Sequence, residues 1–358
     1  MPSISFWNGK KVLVTGHTGF KGAWLCLWLK ELGAHVVGVS DQSWGPDTIY
    51  ETCDLKKILV NKRYNLPDFG DITKFNEIRE FIKKIDPEVI FHLAAQPLVL
   101  DAYVNPRDTY LANLIGTLNV LESARYCSSL SAVVSVTTDK VYENNELAQG
   151  FTEESPLGGH DPYSASKACA DILSRSHGRS FFDKLGVGLA VARAGNVMGG
   201  GDWSSNRLVP DIMRSAFGGG ELLLRHPDAV RPWQHVLDPL HGYLLLAEKL
   251  TVDGLPDHNA FNFGPDEQIS LTVREIVDAF SKKLRRRINV EYDNEGTYHE
   301  ASYLTLNSSK SQHKLGWRPV WRTNEAIEHT SEWYMDWHRG ADLTQTCSQQ
   351  IQKYTAAT

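Results

Sequence analysis

The chain has 358 residues, 42% hydrophobic and 22% charged, and its 37 Lys plus Arg against 43 Asp plus Glu leave a net charge of −6. That length suits two domains better than one, and the charge opposes a dedicated nucleic-acid binder. No run reaches the roughly eighteen uncharged apolar residues of a membrane span, residues 1–11 lack a signal-peptide pattern, and the five scattered cysteines, with no C-x-x-C pair, fit reduced thiols in a cytoplasmic protein.

Residues 10–16 (KKVLVTG) predict a short apolar strand running into a turn. Phe20, Ala23, Trp24, Leu27, Trp28 and Leu32 recur at helical spacing, and Gly33 ends that helix. Residues 34–40 (AHVVGVS) predict the next strand, bounded by Asp41, which completes a βαβ unit. A third strand is expected ahead of Asp71, then an amphipathic helix over 71–85 and a fourth strand over 88–94, too apolar to have a wet face. A long helix over 107–125, a buried strand over 132–138, a helix over 163–183 and a strand over 186–194 continue the rhythm. Such alternation predicts a Rossmann-type doubly wound parallel α/β sheet with a smaller mixed C-terminal substrate-binding domain.

After residue 195 the rhythm gives way to loops rich in Gly, Pro and charge, at 195–203, 217–221 and 225–233. A helix over 238–250 and a strand over 259–264 are expected to return to the first domain. Residues 1–194 with 236–265 are thus assigned to dinucleotide binding, and 195–235 with 266–358 to the substrate. A capped amphipathic helix is expected over 270–284, a helix end at Leu315-Gly316-Trp317, and a frayed polar tail from about Ala341. Ten tryptophans exceed what a core of this size needs, so some are expected to line a ligand cleft. Thirteen histidines form no H-x-x-x-H pair beside a carboxylate, and no metal is expected.

Three motifs carry chemistry. In T-G-H-T-G-F-K-G, Gly16, Gly19 and Gly22 let the chain turn sharply, let backbone approach a pyrophosphate and let helix pack on strand, with the phosphates at the helix N-terminus. Asp41 stands where a carboxylate would accept from a ribose 2′-hydroxyl and repel a 2′-phosphate, favouring NAD; the alternative is a surface loop Asp. Asp71 with Ile72 either meets the adenine amino group or caps the next helix, and Leu93, Ala94 and Ala95 either leave room for a cofactor or simply pack. In the second motif, Asp161 and Pro162 start a helix on which Tyr163 and Lys167 share a face. A lysine ammonium beside the phenol, with a nicotinamide cation nearby, is expected to lower the Tyr163 pKa and make it a base. The third motif, Thr137-Thr138-Asp139-Lys140, lies at a strand's carboxyl end, where such sheets face their ligands, and a loop of roughly twenty residues follows.

The segments TGHTGFKG (15–22), HLAAQPLV (92–99), TTDKVYEN (137–144), PYSASK (162–167), RAGNVMGGGDW (193–203), RPWQHVLDP (231–239) and LGWRP (315–319) resemble the extended short-chain dehydrogenase/reductase superfamily, in its nucleotide-sugar 4,6-dehydratase branch. Lys140 is similar to the CDP-glucose type, because the dTDP-glucose and GDP-mannose enzymes carry Glu there. The resemblance implies NAD-dependent dehydration of CDP-D-glucose to CDP-4-dehydro-6-deoxy-D-glucose, for deoxysugars and dideoxysugars such as those of lipopolysaccharide O-antigen. It implies that Tyr163 takes the 4-hydroxyl proton, assisted by Thr138, that hydride passes from C4 to NAD+ and returns to C6, and that Asp139 protonates the departing C6 hydroxyl. Asp139 must then hold a proton near neutral pH through burial. Lys140 is either the C5 base, a partner of a basic water or a charged stabiliser of the enolate.

The cofactor set so implied is Gly16, Gly19, Phe20, Lys21, Gly22, Asp41, Asp71, Ile72, Leu93, Ala94, Ala95, Tyr163 and Lys167, and the substrate set is Gln96, Asn196, Arg207, Arg231 and His299, with Trp203 a weaker candidate. Arg231 and Arg207 suit a diphosphate. The helices over 107–125 and 163–183 imply a four-helix bundle across a homodimer, with a homotetramer as the larger form, and no nucleic-acid or membrane partner. A nucleotide-sugar 4-epimerase would need Tyr163 and a hydroxyl at 138 but neither Asp139 nor Lys140. A dinucleotide sensor would need none of these.

Overall fold

A computed structural model describes residues 1–67, 69–144, 150–253, 260–265, 271–292 and 303–358. Short Val-rich segments with no polar face become strands covered on both sides. β1 (Lys11–Thr15), β2 (His35–Val39), β3 (Val89–His92), β4 (Ala132–Val136), β5 (Gly188–Ala194) and β6 (Ala260–Phe263) form one sheet in the order β6-β5-β4-β3-β1-β2. All its pairings are parallel. Thr15 lies opposite both Val39 and His92, so three strands end level. The chain lays β2 on one side of β1 and β3 on the other, and this reversal opens a crevice beyond their carboxyl ends.

Among the described residues no strand lies between β2 and Asp71, so the segments counted fourth and fifth are β3 and β4. Asn61–Tyr64 is instead a 3-10 turn, Asn65 follows in the left-handed region (φ 50°), and Pro67 cannot donate to a ladder. The long helix expected over 107–125 runs through Pro106–Tyr110, a π-helical turn at Leu111–Ile115, and Gly116–Ala124. The helix bearing Tyr163 and Lys167, Pro162–His177, opens on the Asp161 side chain, which accepts from Ser164 N at 2.9 Å. Helix Leu237–Asp253 lies on the sheet beside β4 and β5, and β6 pairs with β5.

The second region is small and mixed. Glu221–Leu224 pairs in parallel with Asn289–Tyr292, Val230–Arg231 pairs antiparallel with Leu271–Thr272, and helix Val273–Leu284 starts on a Thr272/Glu275 capping box. Gly316, at φ 66°, ends helix Ser309–Leu315 as expected.

The tail from Ala341 is not frayed. Leu343–Ala356 is a helix, capped by Asp342, and its buried Leu343, Cys347, Ile351 and Tyr354 recur every three to four residues. Polar residues surround this stripe, and two of them, Thr346 and Gln350, are themselves buried, which hid it in the composition. The helix covers Phe20–Glu31, whose residues from Gly22 to Leu29 are all buried, and the Trp28 and Tyr354 rings meet edge-on at 5.5 Å. A segment assigned to the substrate side thus packs on the cofactor side. The tryptophan surplus goes the same way: Trp7, Trp24, Trp28, Trp317 and Trp333 are fully buried in the core. Among the described residues no helix is long and apolar enough to cross a membrane.

Candidate active site

The glycine turn closes on the end of β3. Gly16 takes φ 74°, and a Cβ there would stand 2.7 Å from Ala94 N; a Cβ on Gly22 would stand 2.1 Å from Gly16 O. Thr15 Oγ1 accepts from Leu93 N at 3.2 Å and Ala94 N at 3.1 Å, locking turn and strand end together. The concavity is therefore lined by backbone at a helix N-terminus, which is what a pyrophosphate needs. Thr18 ties this turn to the end of β2 through Ser40 Oγ (3.2 Å) and Gln42 O (2.7 Å), and Asp41 is exposed there. Asp71 Oδ1 accepts from Thr73 N at 2.8 Å, and Asn119 Nδ2 donates to Ile72 O at 2.9 Å, which fixes that segment against the long helix.

Beyond β4 lies a cavity of about 270 Å³, lined among others by Lys21, Thr138, Asp139, Lys140, Tyr163, Asn196, Arg207, Arg231 and Trp233. Of the ten tryptophans, Trp233 alone lines it. Thr138 Oγ1 donates to Asp139 Oδ1 at 2.9 Å and accepts from Lys140 N at 3.3 Å. Asp139 is 1% exposed, and its Oδ2 has no partner among the described residues. Burial raises its pKa against the opposing pull of Lys140, Thr138, Lys21 and Arg231, so this carboxyl is biased toward holding its proton, as an acid at this position must be.

Tyr163 is half-buried on the cavity wall. Burial pushes its phenol up to about 12, with the hydrogen bond shared with Thr138 and the Arg207 charge pulling the other way. The Lys167 ammonium donates to Val136 O at 2.7 Å, and burial followed by the charge of Lys21 brings Lys167 itself down to about 8. Lys21, placed with the cofactor by its position in the turn, reaches into the same cavity. Burial and Arg207 lower it to about 8 while Asp139 pulls it up.

Asn196 lines the cavity, and its carbonyl accepts from Gln234 N at 3.1 Å. Arg207 pairs with Asp202 at 3.3 Å, and buried Arg231 donates to Val230 O at 3.0 Å. Gln96 is not brought to the cavity wall. Its side chain holds its own loop, donating to Leu98 O (3.0 Å) and Thr109 Oγ1 (3.1 Å) and accepting from Leu98 N, while Pro97, Leu98 and Val99 face the cavity. Trp203 packs on Trp337 at 4.7 Å and donates to Asp47 O, away from the cavity. His299 lies outside the described residues.

Sequence reasoning missed a buried polar chain beneath the site. Thr117 Oγ1 donates to Asn113 O at 2.6 Å, so the His92 Nε2 facing it at 2.9 Å is the protonated nitrogen, and Nδ1 accepts from Thr15 Oγ1 at 2.7 Å. Burial, then the Lys167 charge, lowers His92 to about 3, keeping it neutral. Asn113, in the π-helical turn, accepts from Gln96 N (2.7 Å) and donates to Ser166 Oγ (2.9 Å), which donates to Tyr163 O (2.7 Å). The signal was present as a lone His in VIFHLA and a lone Asn in LANLI, polar residues inside apolar periods.

Residues 13–330 match the family described as GDP-mannose 4,6 dehydratase. The chain belongs to that family. The CDP-glucose 4,6-dehydratase of Salmonella typhimurium is 41% identical over 359 residues, covering 99% of this chain and 98% of the relative. The dTDP-glucose 4,6-dehydratase of the same organism is 26% identical over 347 residues, covering 91% and 92%. Among solved structures, the dTDP-glucose 4,6-dehydratase DesIV of Streptomyces venezuelae, with NAD bound, superposes with a TM-score of 0.74 at 25% identity, covering 91% of this chain and 97% of that one. An epimerase from Methanothermobacter thermautotrophicus shares the fold, with a TM-score of 0.79 at 22% identity over 94% and 96% of the two chains. A sheet that hosts both dehydratases and epimerases leaves the choice of reaction to the side chains beyond β4.

Proposed function

We propose that the protein dehydrates CDP-D-glucose to CDP-4-dehydro-6-deoxy-D-glucose. The observation that carries this reading is Asp139: a buried carboxyl with one oxygen free of partners, beside Thr138 and Tyr163, supplies the acid that elimination needs and epimerisation does not.

The cradle of Gly16, Gly19 and Gly22 against Leu93, Ala94 and Ala95 fits NAD, with Phe20 and Lys21 in the turn and Asp41, Asp71 and Ile72 toward the adenosine. NAD held there supplies a hydride acceptor at C4 and a donor at C6, and it ends each cycle unchanged. The chain's residues move the protons. Tyr163 accepts the proton of the 4-hydroxyl, aligned by Thr138, and Lys167 secures the nicotinamide ribose. The resulting ketone acidifies the C5 proton. Lys140 serves its removal, directly or through water, and Asp139 hands its own proton to the leaving C6 hydroxyl. Asn196, Arg207 and Arg231 carry the diphosphate, with His299 a further candidate for the sugar nucleotide. Residues 195–235, with Val273 from the later segment, then supply most of the substrate side.

The same reading makes the protein a homodimer or homotetramer. Exposed Ile115 and Ile172, with exposed Cys169, sit on the two helices that would form the shared bundle. It also makes it a cytoplasmic enzyme of deoxysugar synthesis, feeding dideoxysugars of the lipopolysaccharide O-antigen type.

The test is turnover of CDP-glucose, dTDP-glucose, UDP-glucose and GDP-mannose side by side, with and without added NAD+. The 4-keto-6-deoxy product is read by its ultraviolet absorbance in alkali. CDP-glucose is expected to react fastest, with solvent deuterium appearing at C5. A C4 epimer in place of a keto sugar, or preference for another nucleotide, would overturn the proposal.

A further inference from the structure

Cys53 and Cys347 are 294 positions apart in sequence, yet their sulfurs stand 3.9 Å from each other in the interior. Cys53 follows the short helix Ile49–Thr52, which comes after β2, and is 3% exposed. Cys347 is on the terminal helix, is fully buried, and lies beyond residue 330, where the family match ends. The dehydratase chemistry uses neither.

The two sulfurs are not equivalent. Burial holds the Cys347 thiol well above its ordinary range, against the opposing pull of Trp333 Nε1, which donates to Cys347 Sγ at 3.2 Å. Cys347 therefore keeps its proton and offers it to Cys53. That hydrogen bond, outweighing burial and helped by Thr344 and Thr52, brings Cys53 below the ordinary thiol range. One member is set up as nucleophile and the other as the thiol that resolves it.

We propose that Cys53 and Cys347 are a redox-sensitive dithiol that closes to an intramolecular disulfide when a small peroxide-class oxidant reaches Cys53. The Cys53 thiolate attacks the peroxide, an S–O bond forms, the O–O bond breaks, and hydroxide (or alkoxide) leaves. Cys347 sulfur then attacks the sulfenic sulfur. The S–S bond forms, the S–O bond breaks, and the oxygen departs as water with the Cys347 proton. The sulfurs give up two electrons and the peroxide takes them. The bond fastens the segment after β2 to the terminal helix. Tyr50 of that segment lies edge-on to His17 of the glycine turn at 5.3 Å, so the clasp sits one residue contact from the cofactor cradle.

The experiment treats the folded full-length protein with hydrogen peroxide, blocks remaining thiols, and maps peptides without reduction. A Cys53–Cys347 peptide two hydrogens lighter than its parts is expected, reversible by dithiothreitol and absent from Cys53→Ser and Cys347→Ala. Because the bond closes a loop of nearly three hundred residues, the oxidised protein should melt several degrees higher. Pairs through exposed Cys169 would join two molecules and differ in mass. If Cys53 and Cys347 remain free thiols, if Cys53 proceeds to the sulfinic acid without pairing, or if the linked peptide forms only in denaturant, the proposal fails.

Discussion

On the β1–β3 side of the site, shape is set by backbone: two glycines that admit no Cβ, a threonine that ties two strand ends, and residues small enough to let a ligand approach. On the β4 side, chemistry is set by buried charge. Asp139, Tyr163, Lys167 and Lys21 are each displaced from their ordinary pKa, with burial the largest cause in every case. The contrast teaches that a binding surface made of peptide groups is encoded in spacing. A catalytic surface made of titratable groups is encoded in what the fold does to their hydration.

Tyr163→Phe is the sharpest blow to the β4 side. It leaves the cradle intact and removes the proton acceptor, so turnover should fall by about 10²–10⁴-fold with melting temperature and NAD binding nearly unchanged. Asp139→Asn should cost about 10²-fold and also change the pH profile. The wild-type acid must be protonated, so wild-type turnover falls as pH rises through the raised Asp139 pKa, and the variant should lose that limb. Gly22→Ala attacks the other side. Its Cβ would press on Gly16 O, so NAD should bind at least tenfold more weakly and stability should drop by about 1–3 kcal/mol, while turnover recovers in excess NAD. An equal loss that NAD cannot rescue would erase the distinction between the two sides.

Asp238 gives the smallest effect on turnover and isolates burial from catalysis. It is fully buried, accepts from Tyr354 Oη and Val320 N at 2.7 Å each, and burial raises its pKa to about 7. A raised folded pKa contributes stability that is complete below the unfolded value and is lost as pH rises through the folded one. Roughly 4 kcal/mol, at about 1.4 per pH unit, should disappear between about pH 4 and 7. Asp238→Asn should flatten that slope in melts across pH, with turnover within about twofold of wild type. A large loss of turnover would mean that the buried acids act as one system.

The strand–helix alternation, the glycine turn and the Tyr163/Lys167 face were legible because short apolar runs, a period of 3.6 and a fixed spacing are local properties. The absent strand before Asp71 and the helix after Ala341 were misread. In the first, Asn65 and Pro67 break a ladder that the surrounding rhythm suggested. In the second, an apolar stripe is diluted by polar neighbours, buried Thr346 and Gln350 among them. The upward pull on the Tyr163 phenol was not legible, because it comes from burial, which depends on the whole packing around the site and not on the Tyr163/Lys167 spacing. The sulfur contact between Cys53 and Cys347 was invisible for a simpler reason, since no local pattern links positions so far apart.

The terminal helix has a consequence for the order of assembly. Helix Phe20–Glu31 is apolar on every side from Gly22 to Leu29, yet the residues that cover its outer face, at 343–356, are synthesised more than three hundred positions later. Throughout that interval the nascent chain carries a greasy rod with one flank bare. The early half of this protein is therefore the natural client of a holding chaperone, and truncations that spare every catalytic residue but delete the last helix should yield aggregates rather than a smaller enzyme.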